Sequence, residues 1–544
     1  MNKYQLYVAQ QADRSRRRIT ALVGASYEED INQNNARSGR RRGCCPGSRR
    51  DGVTNALADS STCIDGDGPV GKKTRQKRGV MARRSEDGER EIIHPEQSSW
   101  YTQYVNNAIM EEEKHYQNKF RQRFRLPYQN YLELVEDCKC SSIFERWSAN
   151  NKFAPNRTPI ELLVLGALRY LGRGWTFDDL EESTAVSRDV HRCFFHSFID
   201  FGSTVLYEKY VNAPQTFDEA KRHMAEFTEA GLAGSVGSSD CTNIVSEKIE
   251  YNLRNNHLGP KSSHTARTFS LTANHRKRIL HSTKGGPARW NDQTMVRFDQ
   301  FVSGIWDGTR LQDVEFELFE KDEHGNVVSV QYRGGYVIVD NGYLRWSVTV
   351  PPFKVTNKET EIRWSKWVES MRKDIEDTFG ILKGRWRILK TGIRIHGVNG
   401  VDKIWLTCCA LHNWLLDIDG LDEVWTDGVS ASASDWTGEM GMHDFEGVGT
   451  EIPNAIARLS TNLEPRSYDL SGMGPGEDAI NTHPVGIDLG HDLELISPPS
   501  GVRVVKDLGL GYFRRRLVEH FDILWQRNEV VWPKQKGPVR LLEE

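Results

Sequence analysis

Asp240, Asp292 and Asp340 stand out because each lies in an apolar or glycine-rich setting, and Glu376 stands out beside them for the company they give it. Asp240 lies among small residues, Asp292 follows a glycine loop, Asp340 closes an apolar run just before Asn341-Gly342, and Glu376 sits in an amphipathic stretch. Taken singly, each has an ordinary explanation: Asp292 suits a helix cap, and Glu376 suits a surface ion pair with Lys383 or a neighbour. Taken together they point to a different chemistry. Carboxylates that converge repel one another unless a cation joins them, and hard oxygen ligands are what Mg²⁺ takes.

The last of these acids lies in DIEDTFGILKGRWRIL, residues 374–389. Ile375, Phe379, Leu382, Trp386 and Leu389 recur at the spacing of one apolar helical stripe. A step round the helix, Glu376, Gly380, Lys383, Gly384 and Arg387 share a second face, fit for an anion. Glycines weaken a helix by roughly 1 kcal/mol each relative to Ala, so bulk is expected to be unwelcome on that face. Upstream of it the pattern predicts strands. The stretch 235–245 carries Asp240, 268–273 and 278–283 form a hairpin, 314–319 and 327–332 form another, and 336–339 is a buried strand ending in Asp340. A helix is expected over 294–302, with Asp299 on it. Helices are also expected over 364–389 and 404–416, and an amphipathic one over 512–525.

Before the strands the chain reads as helical. Helices are predicted over 100–124, over 127–138 and over 160–170, the last opening on Pro159 and closed by Gly172-Arg173-Gly174. Thr176 caps 177–183, a turn follows at 184–186, and Ser187 caps a helix through 201. Helix, short turn, helix suits DNA binding, with Arg188, His191 and Arg192 on the second helix facing phosphates or base edges. The same spacing also fits a plain helical hairpin, and the first helix is acidic.

The net charge of −3 hides an asymmetry: basic clusters such as 72–84 crowd the N-terminal segment, whereas 417–500 is acidic and glycine-rich. The basic segment lacks an apolar period and is expected to be disordered. It suits a nuclear localisation signal, a phosphate-binding arm or a solvated tail. Nine cysteines, including the vicinal pairs Cys44-Cys45 and Cys408-Cys409, suit a reducing compartment. Cys138 and Cys140 lack the spacing and second pair of a zinc site. No apolar run reaches the roughly 18 residues of a membrane span, and no apolar signal block opens the chain, so a soluble intracellular protein is expected. The domains read as 1–95, a disordered basic arm; 96–230, a helical, helix-turn-helix-like DNA-binding region; 231–420, the domain holding the acids; 421–500, an acidic linker or tail; and 501–544, a helix and tail.

The order and flanks of the acids resemble the core of PIF/Harbinger-type DDE transposases. The pieces are GSSDCTNI around Asp240, GGPARWNDQTMVRFD around Asp292, YVIVDNGY around Asp340, DIEDTFGILKGRWRIL around Glu376, and ALHNWL at 410–415. LGALRYLGRGWTFDDLEESTAVS at 165–187 is similar to the helical region preceding that core. The resemblance implies an α/β, RNase H-like fold, a mixed sheet flanked by helices. It implies a metal-dependent endonuclease that cuts transposon ends and transfers strands. Asp240, Asp292 and Glu376 would be the catalytic triad, and Asp340 a fourth ligand to two Mg²⁺ or Mn²⁺ ions. Two such ions, about 3.5 to 4 Å apart, clamp the attacking and departing oxygens. Lys383 and Arg387 would hold DNA phosphates. The partners implied are double-stranded DNA with terminal repeats, a Myb-like DNA-binding protein and a second copy of the chain, and the place is the nucleus. The alternative is a domesticated DNA-binding or scaffold protein without cleavage. Ser238-Ser239 before the first acid and the stretch 310–335 depart from the pattern, and everything after 420 lies outside it.

Overall fold

The computed structural model describes residues 81–84, 90–147, 158–259, 264–419 and 502–531. Most of the basic arm, the acidic linker and the last residues of the chain lie outside these. Where the arm meets the body, β1 (Met81–Arg84) and β2 (Arg90–Ile93) pair antiparallel, so regular structure begins before the disordered segment was expected to end.

The helical region holds α1 (Lys114–Phe124), α2 (Tyr128–Cys140), α3 (Ile160–Arg173), α4 (Phe177–Thr184) and α5 (Arg188–Phe201). The single helix expected over 100–124 is broken. Asn106 leaves helical geometry, and the Asn107 side chain accepts the Ile109 N–H at 3.1 Å, the local side-chain bond by which Asn competes with a helix. Thr176 caps α4 through the Asp179 N–H, and Ala185 turns the chain in the left-handed region before α5. α3 is buried nearly all round, with Leu162, Leu163, Leu165 and Leu168 fully inside.

After α6 (Phe217–Glu229) comes the central sheet, built from β3 (Ser235–Val245), β4 (Ala266–Ala273), β5 (Ile279–Ser282), β6 (Gly286–Pro287), β9 (Tyr336–Ile338) and β10 (Thr349–Val350). Its order is β10-β9-β3-β4-β5, with β6 also on β4. β3, β4 and β5 run antiparallel, and β9 runs parallel to both β3 and β10, which makes the sheet mixed. Between β6 and β9 lie α7 (Asp292–Phe298), α8 (Gln300–Asp307) and the hairpin of β7 (Glu315–Lys321) and β8 (Val327–Arg333). The helix expected over 294–302 is two helices. Asp299, expected within that one helix, is fully buried and ends the first by capping the second: its Oδ1 accepts the Phe301 and Val302 N–H groups, and its Oδ2 accepts the Ser270 hydroxyl.

α9 (Glu359–Arg385) and α10 (Val398–Ile418) complete the core. The apolar stripe Ile375, Phe379, Leu382 and Trp386 is buried in one cluster with α3, α5 and α10, so the helical region and the acid-bearing domain share a core. α11 (Leu510–Gln526), remote in sequence, packs in a second cluster with the hairpin and α9, while β11 (Arg503–Val504) pairs parallel with β8. The result is a mixed sheet flanked by helices, preceded by a helical region.

Candidate active site

Strand register sets the geometry. In the parallel pairing of β3 and β9, Ser238 lies opposite Ile338, which puts Asp240 and Asp340, each two residues on, level with each other. Asp340 turns the chain sharply, its Oδ1 accepting the Gly342 N–H at 2.8 Å. Asp292 comes in from the first turn of α7. The cap there is Asn291, which accepts the Thr294 N–H at 3.0 Å, so Asp292 is free of the capping role its position suggested. The turn at Gly342 joins the two acids. A Cβ added to this glycine would lie 2.8 Å from Asp292 Oδ2 and 3.1 Å from Asp340 Oδ1.

The electrostatics match this crowding. Burial, and after it the charges of Asp340 and Asp292, push the Asp240 carboxyl up to about 6, against the opposing pull of the Cys241 N–H and Arg372. Asp292 is also raised, by burial first and then by Asp340. Cys241 and Tyr343 close the apolar side of the cluster, Sγ to Oη 3.6 Å.

Glu376, on α9, reaches the others only through an arginine. Arg372 Nη2 donates to Glu376 Oε1 at 2.7 Å, and Arg372 Nη1 donates to Asp240 Oδ2 at 3.1 Å. Asp240, Asp292 and Asp340 therefore lie within one another's electrostatic reach, and Glu376 stands behind a guanidinium. Among the described residues, no three His, Cys, Asp or Glu side chains are near enough as placed to hold an ion. The donor set itself suits a hard divalent cation: neighbouring carboxylates, two of them raised chiefly by burial, with a positive side chain already drawn between Asp240 and Glu376.

A second buried cluster fixes α9. Asp374, two residues before Glu376, accepts His275 Nδ1 at 2.8 Å and the Lys277 ammonium, all three being buried. Burial alone would raise the Asp374 carboxyl, but Lys277 and His275 outweigh it and hold it below the usual range. The β4–β5 turn thereby pins the helix that carries Glu376.

The expected DNA contacts divide. Lys383 is not turned outward: its Nζ donates to Thr242 Oγ1 at 2.7 Å, two residues along β3 from Asp240, and burial lowers its pKa. Arg387 is exposed. Arg188 and Arg192 are exposed on α5, paired with Asp178 at 3.8 Å and Asp189 at 3.2 Å. His191, expected beside them, is buried against Thr184 Oγ1 at 2.8 Å and is out of reach of a ligand. Gly380 contradicts the expectation that bulk is unwelcome, since a Cβ there would meet nothing within 4 Å. Sequence reasoning missed Arg372, although its spacing of four from Glu376 was a usable signal.

Residues 239–413 match the family model described as DDE superfamily endonuclease, a span that takes in all four acids. The chain is 24% identical over 269 residues to Protein ALP1-like of Arabidopsis thaliana, an alignment covering 48% of this chain and 63% of that protein. It thus spans a little under two thirds of the length of that curated relative. No solved structure matches. With its acids in the matched stretch and a mixed sheet flanked by helices to carry them, the chain is similar over residues 239–413 to DDE superfamily endonucleases, a likeness that supports a Harbinger-type, DDE transposase-like protein.

Proposed function

We propose that the protein is a divalent-metal-dependent DNA endonuclease that hydrolyses phosphodiester bonds at transposon ends and transfers strands. The observation that carries this reading is the levelling of Asp240 with Asp340 across β3 and β9, with Asp292 joining at the Gly342 turn. Asp240, Asp292, Asp340 and Glu376 would hold Mg²⁺ or Mn²⁺, with Asp240 and Asp340 as the central pair. Two divalent ions would supply the means to activate an attacking hydroxyl and steady the departing oxygen.

The residues of the chain do the rest. The Asp374–His275–Lys277 cluster orients the helix bearing Glu376, and Lys383 braces β3 beside Asp240. Arg387, just beyond the end of α9, and Arg188 and Arg192 on α5 offer cations to DNA phosphates. A nuclear location, a Myb-like partner protein and assembly with a second copy belong to the same reading. A second reading, a transposase-derived DNA-binding or scaffold protein without cleavage, draws on Arg372, which already neutralises two of the acids.

The readings part in a nicking assay on supercoiled DNA carrying the element ends, with Mg²⁺ or Mn²⁺. The parent should nick only with metal, and Asp240→Asn and Asp340→Asn should each lose more than roughly a hundredfold, as removal of a principal transition-state contact does. Glu369→Gln, an exposed acid two turns before Glu376 on α9, should nick like the parent. Metal-dependent DNA binding without nicking in the parent would favour the second reading.

A further inference from the structure

We infer that Arg372 is the resident counter-ion of the acid cluster, which a divalent cation must displace in order to bind. This rests on the metal-dependent reading above and adds a step to it. The guanidinium lies largely out of solvent, its side chain 18% exposed, and spans two acids from different elements: Asp240 on β3 at 3.1 Å and Glu376 one turn along α9 at 2.7 Å. Among the described residues no other cation forms an ion pair with either. The contact uses both ends of a planar fork, which fixes the two carboxylates relative to each other in a way a single ammonium could not.

The same two oxygens, Asp240 Oδ2 and Glu376 Oε1, are among those a metal would need. An ion seated between these carboxylates would share the space with a like charge, and two cations that close disfavour one another. Metal entry is therefore an exchange, in which the carboxylates release Arg372 as they take the ion. Before metal arrives Arg372 quiets the repulsion of the cluster, and it keeps Glu376 turned toward β3. It is a positioning residue, acting on the acids and on no substrate atom.

Mn²⁺ titration of the full chain, followed by calorimetry and by the electron paramagnetic resonance of free Mn²⁺, tests this without reference to cleavage. Arg372→Gln should bind Mn²⁺ tighter by roughly fivefold, since a partly screened ion pair no longer has to be broken. It should melt lower than the parent in chelator and gain more from saturating Mn²⁺. Arg372→Lys should fall between the two, and it carries the test alone if the Gln variant fails to fold. Lys373→Gln removes the same charge from an exposed neighbour on α9 and should match the parent. Weaker Mn²⁺ binding in the Arg372 variants would overturn the exchange and make Arg372 a support for the bound site, while unchanged binding would overturn it by showing that the pair is idle. If the parent itself binds Mn²⁺ no better than Asp240→Asn does, it is the metal-dependent reading that has failed, and the exchange falls with it.

Discussion

Gly342 and Gly380 both stand near the acids, yet they ask opposite things of a side chain. At Gly342 a methyl would meet the carboxylates of Asp292 and Asp340, the ends of side chains that can turn aside, so Gly342→Ala should fold but splay the pair. At Gly380 a methyl would meet open space, and Ala should stabilise the helix by about 1 kcal/mol. Chemical denaturation checks both: Gly380→Ala should move the midpoint up, and Gly342→Ala should leave it within about 1 kcal/mol of the parent while weakening Mn²⁺ binding. A destabilised Gly380→Ala would mean that the helix face is not open as described. Individual residues were unevenly legible in the sequence. Asp240, Asp292 and Asp340 could be picked out because each sat in an apolar or glycine-rich setting, and Glu376 because those acids lie upstream of it. Asp299 misled, because a cap that ends one helix and starts the next is the same residue type as an acid within a longer one. His191 misled for a related reason: a polar residue between two arginines reads as exposed, and only the fold shows Thr184 waiting for it inside.

Among the elements, α9 and the hairpins follow directly from pattern, since stripes of period near 3.6 and 2 are set by local geometry. What pattern cannot give is which face meets which partner. The stripe of α9 predicted burial, and the structure adds that it is buried against α3, α5 and α10. α11 was legible as an amphipathic helix but not as part of the core, because the partners of an apolar face are not encoded locally. Its Phe513, Leu517 and Phe521 pack with Tyr332, Tyr336 and Trp364, and His520 Nδ1 accepts the Phe319 N–H at 2.9 Å. Burial lowers the His520 pKa from 6.5 to about 4. A group whose folded pKa lies below its unfolded value binds more protons unfolded, so its contribution is full above pH 6.5 and is lost as pH falls toward 4. His520→Phe, which keeps a ring on Phe319 but takes no proton, should therefore lose less stability than the parent between about pH 7 and about pH 4.5, a window that covers most of the fall from 6.5 to about 4. Melting curves of the two across that window measure the difference, and equal slopes would show that the imidazole is not held neutral by the fold.

At the scale of the molecule, the order of the motifs made the resemblance visible, because acids on successive elements survive as a linear pattern. Their spatial relation did not, since it depends on β9 running parallel to β3 in one register, and a one-residue slip would turn Asp340 to the other face. The bridge through Arg372 was equally invisible, being a contact between a strand and a helix separated by 132 positions. What the whole fold does is bring three mutually repelling carboxylates together where β3 meets β9 and hold a fourth on a pinned helix, an arrangement whose cost in stability Arg372 only partly offsets. The most direct measurement is a calorimetric Mn²⁺ titration of the parent beside Asp240→Asn and Asp340→Asn. The parent should bind, and each variant should bind at least roughly tenfold more weakly, a loss of about 1.4 kcal/mol, while melting higher than the parent in chelator. Equal Mn²⁺ binding by all three proteins would contradict the shared site.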